Sequence, residues 1–245
     1  MYLAHSIFWT MMKTKKLGLA VMGVLTLLHS CKKDDDGGQI EVRDPVEVEA
    51  ENDQDIRDYL SSHFYNYEEF EAAASGELDD FDYKIVIDSI SGENSDKTPM
   101  IDQVRDTVIP IEIGENETLN HTLYYLVARQ GDSIAPKVTD SALVRYKGFR
   151  LNDVVFDRSN IPVWFNLNNV VQGFYEFMPA LRSGGEITVD EEDGTYRYSG
   201  DYGVGVVFMP AGLGYYSSQG SIPAYSPLAF TIDLFRVREI EVDEE

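Results

Sequence analysis

Histidine and cysteine carry much of the nucleophilic and metal chemistry of proteins, and this chain has only four of one and one of the other. They are His5, His29, His63, His121 and Cys31, so neither type occurs after residue 121. That distribution removes Ser-His-Asp and Cys-His nucleophilic sites, and His-ligated zinc, from the C-terminal half. A single cysteine also excludes an intramolecular disulfide. Whatever happens in that half works with aromatic rings, hydroxyls and backbone groups, in a chain of 15 tyrosines and 12 phenylalanines.

Those aromatics fall in an ordered series of short strings. Val144-Arg145-Tyr146-Lys147-Gly148 precedes Val155-Phe156-Asp157-Arg158-Ser159. Pro162-Val163-Trp164-Phe165-Asn166-Leu167 and Val170-Val171-Gln172-Gly173-Phe174 follow. Then come Pro210-Ala211-Gly212-Leu213-Gly214-Tyr215, Ser221-Ile222-Pro223 and Leu228-Ala229-Phe230. In this order the strings resemble the pattern of FKBP-type peptidyl-prolyl cis-trans isomerases: V-x-Y-x-G, F-D-x-S, P-x-x-F-x-L, V-I-x-G-W, P-x-x-L-A-Y-G, I-P and L-x-F. The resemblance covers roughly residues 123 to 240, and its specificity lies in the order rather than in any one string.

The chemistry implied by this resemblance suits the residues present. Rotating an Xaa-Pro bond crosses a barrier near 20 kcal/mol because the amide loses its resonance. No proton has to move. The twisted amide is less polar than the planar one, so a dry pocket with a few placed donors binds it in preference. By resemblance, Phe174 takes the place of the tryptophan at the pocket floor. Tyr146, Phe165, Val170, Val171 and Phe230 form the walls, with Phe156 beside them. Asp157 pairs with Tyr146. The Tyr215 hydroxyl and the Ile222 backbone N–H are expected to bond substrate carbonyls. Neither a cofactor nor a metal is implied, and the expected ligands are proline-containing segments of unfolded or folding envelope proteins. A non-catalytic client-binding or holdase module with the same fold is the alternative. Three departures from the pattern motivate it or extend it: Val163 replaces a pocket phenylalanine, the flap reads Gly214-Tyr215-Tyr216, and an insert at about 190–205 reads as a strand, an Asp-Gly turn and a second strand.

The elements that position these residues are mainly strands. Leu123 to Gln130, Ala142 to Phe149 and Leu228 to Glu239 alternate apolar and polar residues, which predicts an antiparallel sheet with one wet face. One short helix is expected over Gly173 to Leu181, with Phe174, Phe177, Met178 and Leu181 on its apolar side. The fold class is α+β: a twisted antiparallel half-barrel wrapped around one short helix, as the FKBP resemblance also implies. A small N-terminal helix-plus-strand segment precedes it over 51–122. There the repeats of Ile56, Tyr59, Leu60, Phe64, Tyr67 and Phe70 predict a helix from an Asn52 or Asp53 cap to Gly76. Strands are predicted over Tyr83 to Ile90 and Val108 to Ile113.

Ahead of these lies an export signature. Lys13, Lys15 and Lys16 precede an apolar run from Leu17 to Leu28, of signal-peptide length and too short to span a bilayer. Leu28-His29-Ser30-Cys31 resembles a lipobox, which implies a signal peptide over 1–30 and lipidation of Cys31. An acidic tether over 31–50 follows, opening with Lys32-Lys33-Asp34-Asp35-Asp36. The implied location is the cell envelope, as an outer-membrane lipoprotein facing the periplasm or displayed at the surface, held to the membrane through the lipid on Cys31. The net charge of -23 repels phosphates, so no nucleic-acid partner is expected.

Overall fold

In the computed structural model, residues 42–240 are described apart from positions 193 and 199, with the backbone alone at 196 and 197. The expected signal peptide, the lipidated Cys31 and the first part of the tether lie outside the described residues.

The first helix, α1 (Pro45–Ser62), begins where the tether was expected to continue. Asp44 caps it, accepting from the Val46 N–H at 2.7 Å, and Pro45 occupies a first-turn position whose missing N–H has no partner to lose. The cap is therefore Asp44 and not Asn52, which is buried and bonds elsewhere. Nor does one helix run to Gly76. The aromatic stretch of strand β1 (His63–Tyr65) interrupts it before α2 (Tyr67–Ser75), which Gly76 ends in the left-handed conformation at φ 77. This break changes the pattern of burial. Ile56, Tyr59, Leu60 and Phe70 are buried as the periodicity predicts, but Tyr65 is buried in place of Phe64.

β1 pairs antiparallel with β2 (Ile87–Ser89). The main sheet then takes β3 (Arg105–Gly114), β4 (Glu117–Arg129), β5 (Ser141–Arg150) and β6 (Val155–Asn166). The short helix α3 (Gln172–Phe177) continues as a 3-10 turn over Met178–Ala180. A hairpin of β7 (Ile187–Val189) and β8 (Tyr196–Tyr198) forms the insert. β9 (Gly203–Met209) and β10 (Leu228–Arg238) complete the sheet. Its strand order is β3-β4-β9-β10-β5-β6, with every pairing antiparallel, and with the helices it gives the expected α+β fold.

The predicted wet face is not observed on the central strands; exposed residues recur along the edge strands β3 and β6. On one side of the sheet α3 packs Phe174, Phe177, Met178 and Leu181 against residues such as Val207, Leu228 and Ile232. On the other, Tyr124, Leu126, Phe149 and Phe208 lie under Ile56, Tyr59 and Leu60 of α1 and Phe70 of α2. The N-terminal segment is thus a second apolar layer, and all seven residues of β9 are buried. A near-continuous apolar run in a strand is the sequence signature of burial on both faces. The described residues form one compact unit.

Candidate active site

Strand β5 is the spine of the site. Gly148 has Phe230 of β10 opposite it on one side and Asp157 of β6 on the other, while Tyr146 faces Ile232 and Ser159. A Cβ on Gly148 would stand 2.7 Å from the rings of both Phe156 and Phe230. The absent side chain therefore lets those two rings meet edge to face, with centroids 5.4 Å apart.

From this point a relay of aromatic contacts borders a half-open cavity of about 590 Å³. Phe230 meets Phe174 at 5.5 Å, Phe174 meets Phe165 at 6.1 Å, and Phe165 meets Tyr146 at 5.2 Å, all tilted or perpendicular. Phe174 comes from α3 and is only 2% exposed, so it forms a floor rather than a rim. Val170 and Val171, in the turn leading into α3, and Tyr215, on the loop after β9, complete the apolar wall.

One polar bond crosses the mouth. The Tyr146 hydroxyl donates to Asp157 Oδ2 at 2.7 Å. Burial first, and this bond second, hold the Tyr146 hydroxyl well above the ordinary tyrosine range. Burial also raises Tyr215, with the nearby Asp157 charge adding to it. Both phenols therefore stay protonated well beyond neutral pH, the Tyr146 proton held by Asp157.

The loop bearing Tyr215 is held from behind by α1. Asn52 Oδ1 accepts from the Ala211 N–H at 2.7 Å, and its Nδ2 donates to the Tyr225 carbonyl at 3.1 Å. One turn earlier, buried Glu49 is hydrogen-bonded through Oε2 to Nδ1 of buried His121 of β4 and accepts from the Thr122 N–H at 3.2 Å. Buried polar groups at such a junction cost heavily unless paired, and these are paired.

Of the residues singled out from sequence, Tyr146, Asp157, Phe165, Val170, Val171, Phe174, Tyr215 and Phe230 line the cavity together. Phe156, expected beside the wall residues, packs edge to face against Phe230 and does not itself line the cavity. Ile222 departs from its expected role. Its side chain is buried in the core, and its N–H donates to the Gln219 carbonyl at 2.9 Å within a tight turn through Gly220. The cavity also includes Trp164, Asn166 and Asn169, which sequence reasoning did not place there. Trp164 and Phe165 are adjacent, and strand alternation sends neighbours to opposite faces. Both nonetheless line the cavity, although they pair in regular register with Leu143 and Ala142 on the edge strand of the sheet.

Residues 132–235 match the family model described as FKBP-type peptidyl-prolyl cis-trans isomerase. This segment of the chain belongs to the FKBP family. Relatives of the FKBP segment include the macrophage infectivity potentiator of Trypanosoma cruzi, 28% identical over 48% of this chain and 53% of that protein. The FKBP-type 22 kDa isomerase of Escherichia coli is 29% identical over 51% of this chain and 56% of its own length. A probable FKBP-type isomerase, FkpA, of Neisseria meningitidis is 36% identical over 27% of this chain and 25% of that protein. The chain spans about half, or less, of the length of these relatives. Among solved structures, FkpA from Escherichia coli is 28% identical and aligns over 47% of this chain and 48% of its own, with a TM-score of 0.39. An isomerase from Pseudomonas syringae is 22% identical over 48% of this chain and 76% of its own, with the same TM-score of 0.39.

Proposed function

We propose that this protein is an exported, lipid-anchored peptidyl-prolyl cis-trans isomerase acting on Xaa-Pro bonds of folding envelope proteins. The observation that carries the reading is the aromatic cavity within a segment of the FKBP family. Proline enters against the Phe174 floor and between Phe165, Tyr146 and Phe230. The cavity excludes water from the amide, which favours the twisted, less polar state over the planar one. The Tyr215 hydroxyl, kept protonated, donates to a carbonyl flanking the proline. Asp157 fixes the Tyr146 ring through their hydrogen bond, so the wall is set before the substrate arrives and little reorganisation accompanies the reaction.

Export rests on the Lys13, Lys15 and Lys16 cluster, the apolar run and the Leu28-His29-Ser30-Cys31 string. Two or more acyl chains on Cys31 give stable anchoring where one would be marginal. The membrane is that of the envelope, with the domain facing the periplasm or the cell exterior.

A protease-coupled or NMR exchange assay on the full chain tests the activity. Acceleration of Xaa-Pro isomerisation that falls in Phe174→Ala and Asp157→Ala supports the reading. Background rates in all three proteins leave the second reading, a client-binding or holdase module. That alternative is favoured by the Ile222 N–H being engaged internally and by Val163 in place of a pocket phenylalanine.

A further inference from the structure

Beside the proline cavity lies a second groove of about 630 Å³, between the edge strand β6, the end of β10 and the insert hairpin. Trp164 lines both. Its indole is 41% exposed, a large apolar surface left in the open between two cavities. Past it, Pro162, Ile187 and Tyr198 make an apolar wall, and Arg236 and Arg238 supply the charge.

This charge is unusual in its setting. The chain carries -23 net, yet the groove is lined by two guanidinium groups and no carboxylate. Among the described residues neither arginine is in an ion pair. The Arg238 guanidinium lies over the Trp164 ring, 4.4 Å from its centroid. Stacking fixes the plane of the guanidinium while leaving its edge free to bond a carboxylate through two N–H groups.

We propose that this groove is a subsite for acidic residues flanking the proline in a client segment, which runs from the aromatic cavity across Trp164 to Arg238 and Arg236. The inference rests on the isomerase reading and names the substrate class of that same site: Xaa-Pro segments carrying nearby carboxylates and apolar residues. Continuity through Trp164 supplies the path. The reversal of charge against the rest of the chain supplies the selectivity, since a local positive field in an anionic surface concentrates anionic segments there and turns cationic ones away. A peptide ending at the proline cavity gains nothing from the groove.

The test uses the full chain and fluorescently labelled peptides sharing one Leu-Pro core. Glutamate or lysine is placed at successive positions on either side of the core. Isomerisation rate and fluorescence anisotropy are read on the same peptides. The expected result is a preference of about fivefold to tenfold for one glutamate series over its lysine counterpart. That preference shrinks with added salt and disappears in the Arg236→Gln/Arg238→Gln double variant. Equal values for glutamate and lysine peptides overturn the proposal, as does a preference that survives the double substitution. Failure to isomerise any peptide removes the isomerase reading alone, because anisotropy still reports whether the groove discriminates.

Discussion

Asn52 of α1 accepts a hydrogen bond from the Ala211 N–H at 2.7 Å, joining positions 159 residues apart. With its second bond, to the Tyr225 carbonyl, the one amide spans the loop that carries Tyr215. The N-terminal layer therefore reaches the cavity indirectly, by fixing the backbone of the loop from which Tyr215 projects. Asn52→Ala leaves a buried N–H without its acceptor, at a cost of about 1–3 kcal/mol. We expect a lower Tm together with a fall in kcat/KM measured well below that Tm. Asn52→Asp keeps an acceptor for Ala211 but buries a carboxylate against the Tyr225 carbonyl, so at neutral pH it should be no more stable than Asn52→Ala. An unchanged kcat/KM in a destabilised Asn52→Ala protein would make the contact purely structural.

Gly148 is predicted to tolerate no side chain. The methyl of Gly148→Ala would arrive 2.7 Å from two rings that are themselves packed edge to face. Overpacking of this kind costs about 1–3 kcal/mol and displaces side chains from their rotamers. Because one of those rings is Phe230, the displacement reaches the cavity wall. Thermal unfolding should report the stability loss, and the isomerisation assay a loss of rate in the fraction that remains folded.

Phe174 is both floor and core. Phe174→Ala should cost about 3–5 kcal/mol, and its activity has to be compared at matched folded fraction. Phe174→Leu retains much of the buried volume but loses the edge contacts to Phe165 and Phe230. It should keep most of the stability while kcat/KM drops. A Leu variant as active as the wild type would show that the floor needs only to be apolar, not aromatic.

The raised Tyr146 and Tyr215 hydroxyls contribute to the alkaline behaviour, together with other tyrosines raised by burial, Tyr59 and Tyr124 among them. Each binds its proton more tightly in the folded than in the unfolded chain, whose value is near 10. Their contribution to stability is fully present below that unfolded value and is lost as pH rises from there through the folded values. Denaturant unfolding followed from pH 8 to 11 should thus show a plateau and then a decline beginning at about pH 10. Tyr146→Phe should flatten part of the decline. A decline equally steep in that variant would assign the effect to other groups.

Much of the site was legible because the fold reads it out in chain order. Tyr146, Asp157, Phe165, Phe174 and Tyr215 occur in strings whose sequence is itself the signal, and the cavity gathers them. What stayed hidden depends on tertiary arrangement. Trp164 lines the cavity from the edge strand of the sheet, a position that depends on the strand order and that no local alternation encodes. The Ile222 N–H is taken by Gln219 through a tight turn whose closure is not visible in an Ile-Pro string. In the N-terminal segment, apolar periodicity located the buried residues Ile56, Tyr59 and Leu60. It missed the break at His63, where three residues of strand reset the phase, and it took Asn52 for a cap when that amide is directed into the interior. Polar residues buried for a tertiary contact look, in sequence, like helix punctuation.

The sheet's second face has a consequence for how this protein can be divided. Tyr124, Leu126 and Phe208 rest under α1 and α2, and β3 pairs along β4 outside the matched family segment. Cutting the chain down to residues 132–235 would strip two strands, β3 and β4, leave the edge of β9 unpaired and bare an apolar wall, while unfastening the Tyr215 loop at Ala211. The FKBP-type segment is therefore no transplantable cassette: grafted alone onto another carrier it would arrive sticky and loose, and a protease that clipped α1 would loosen the pocket without touching a single residue that lines it.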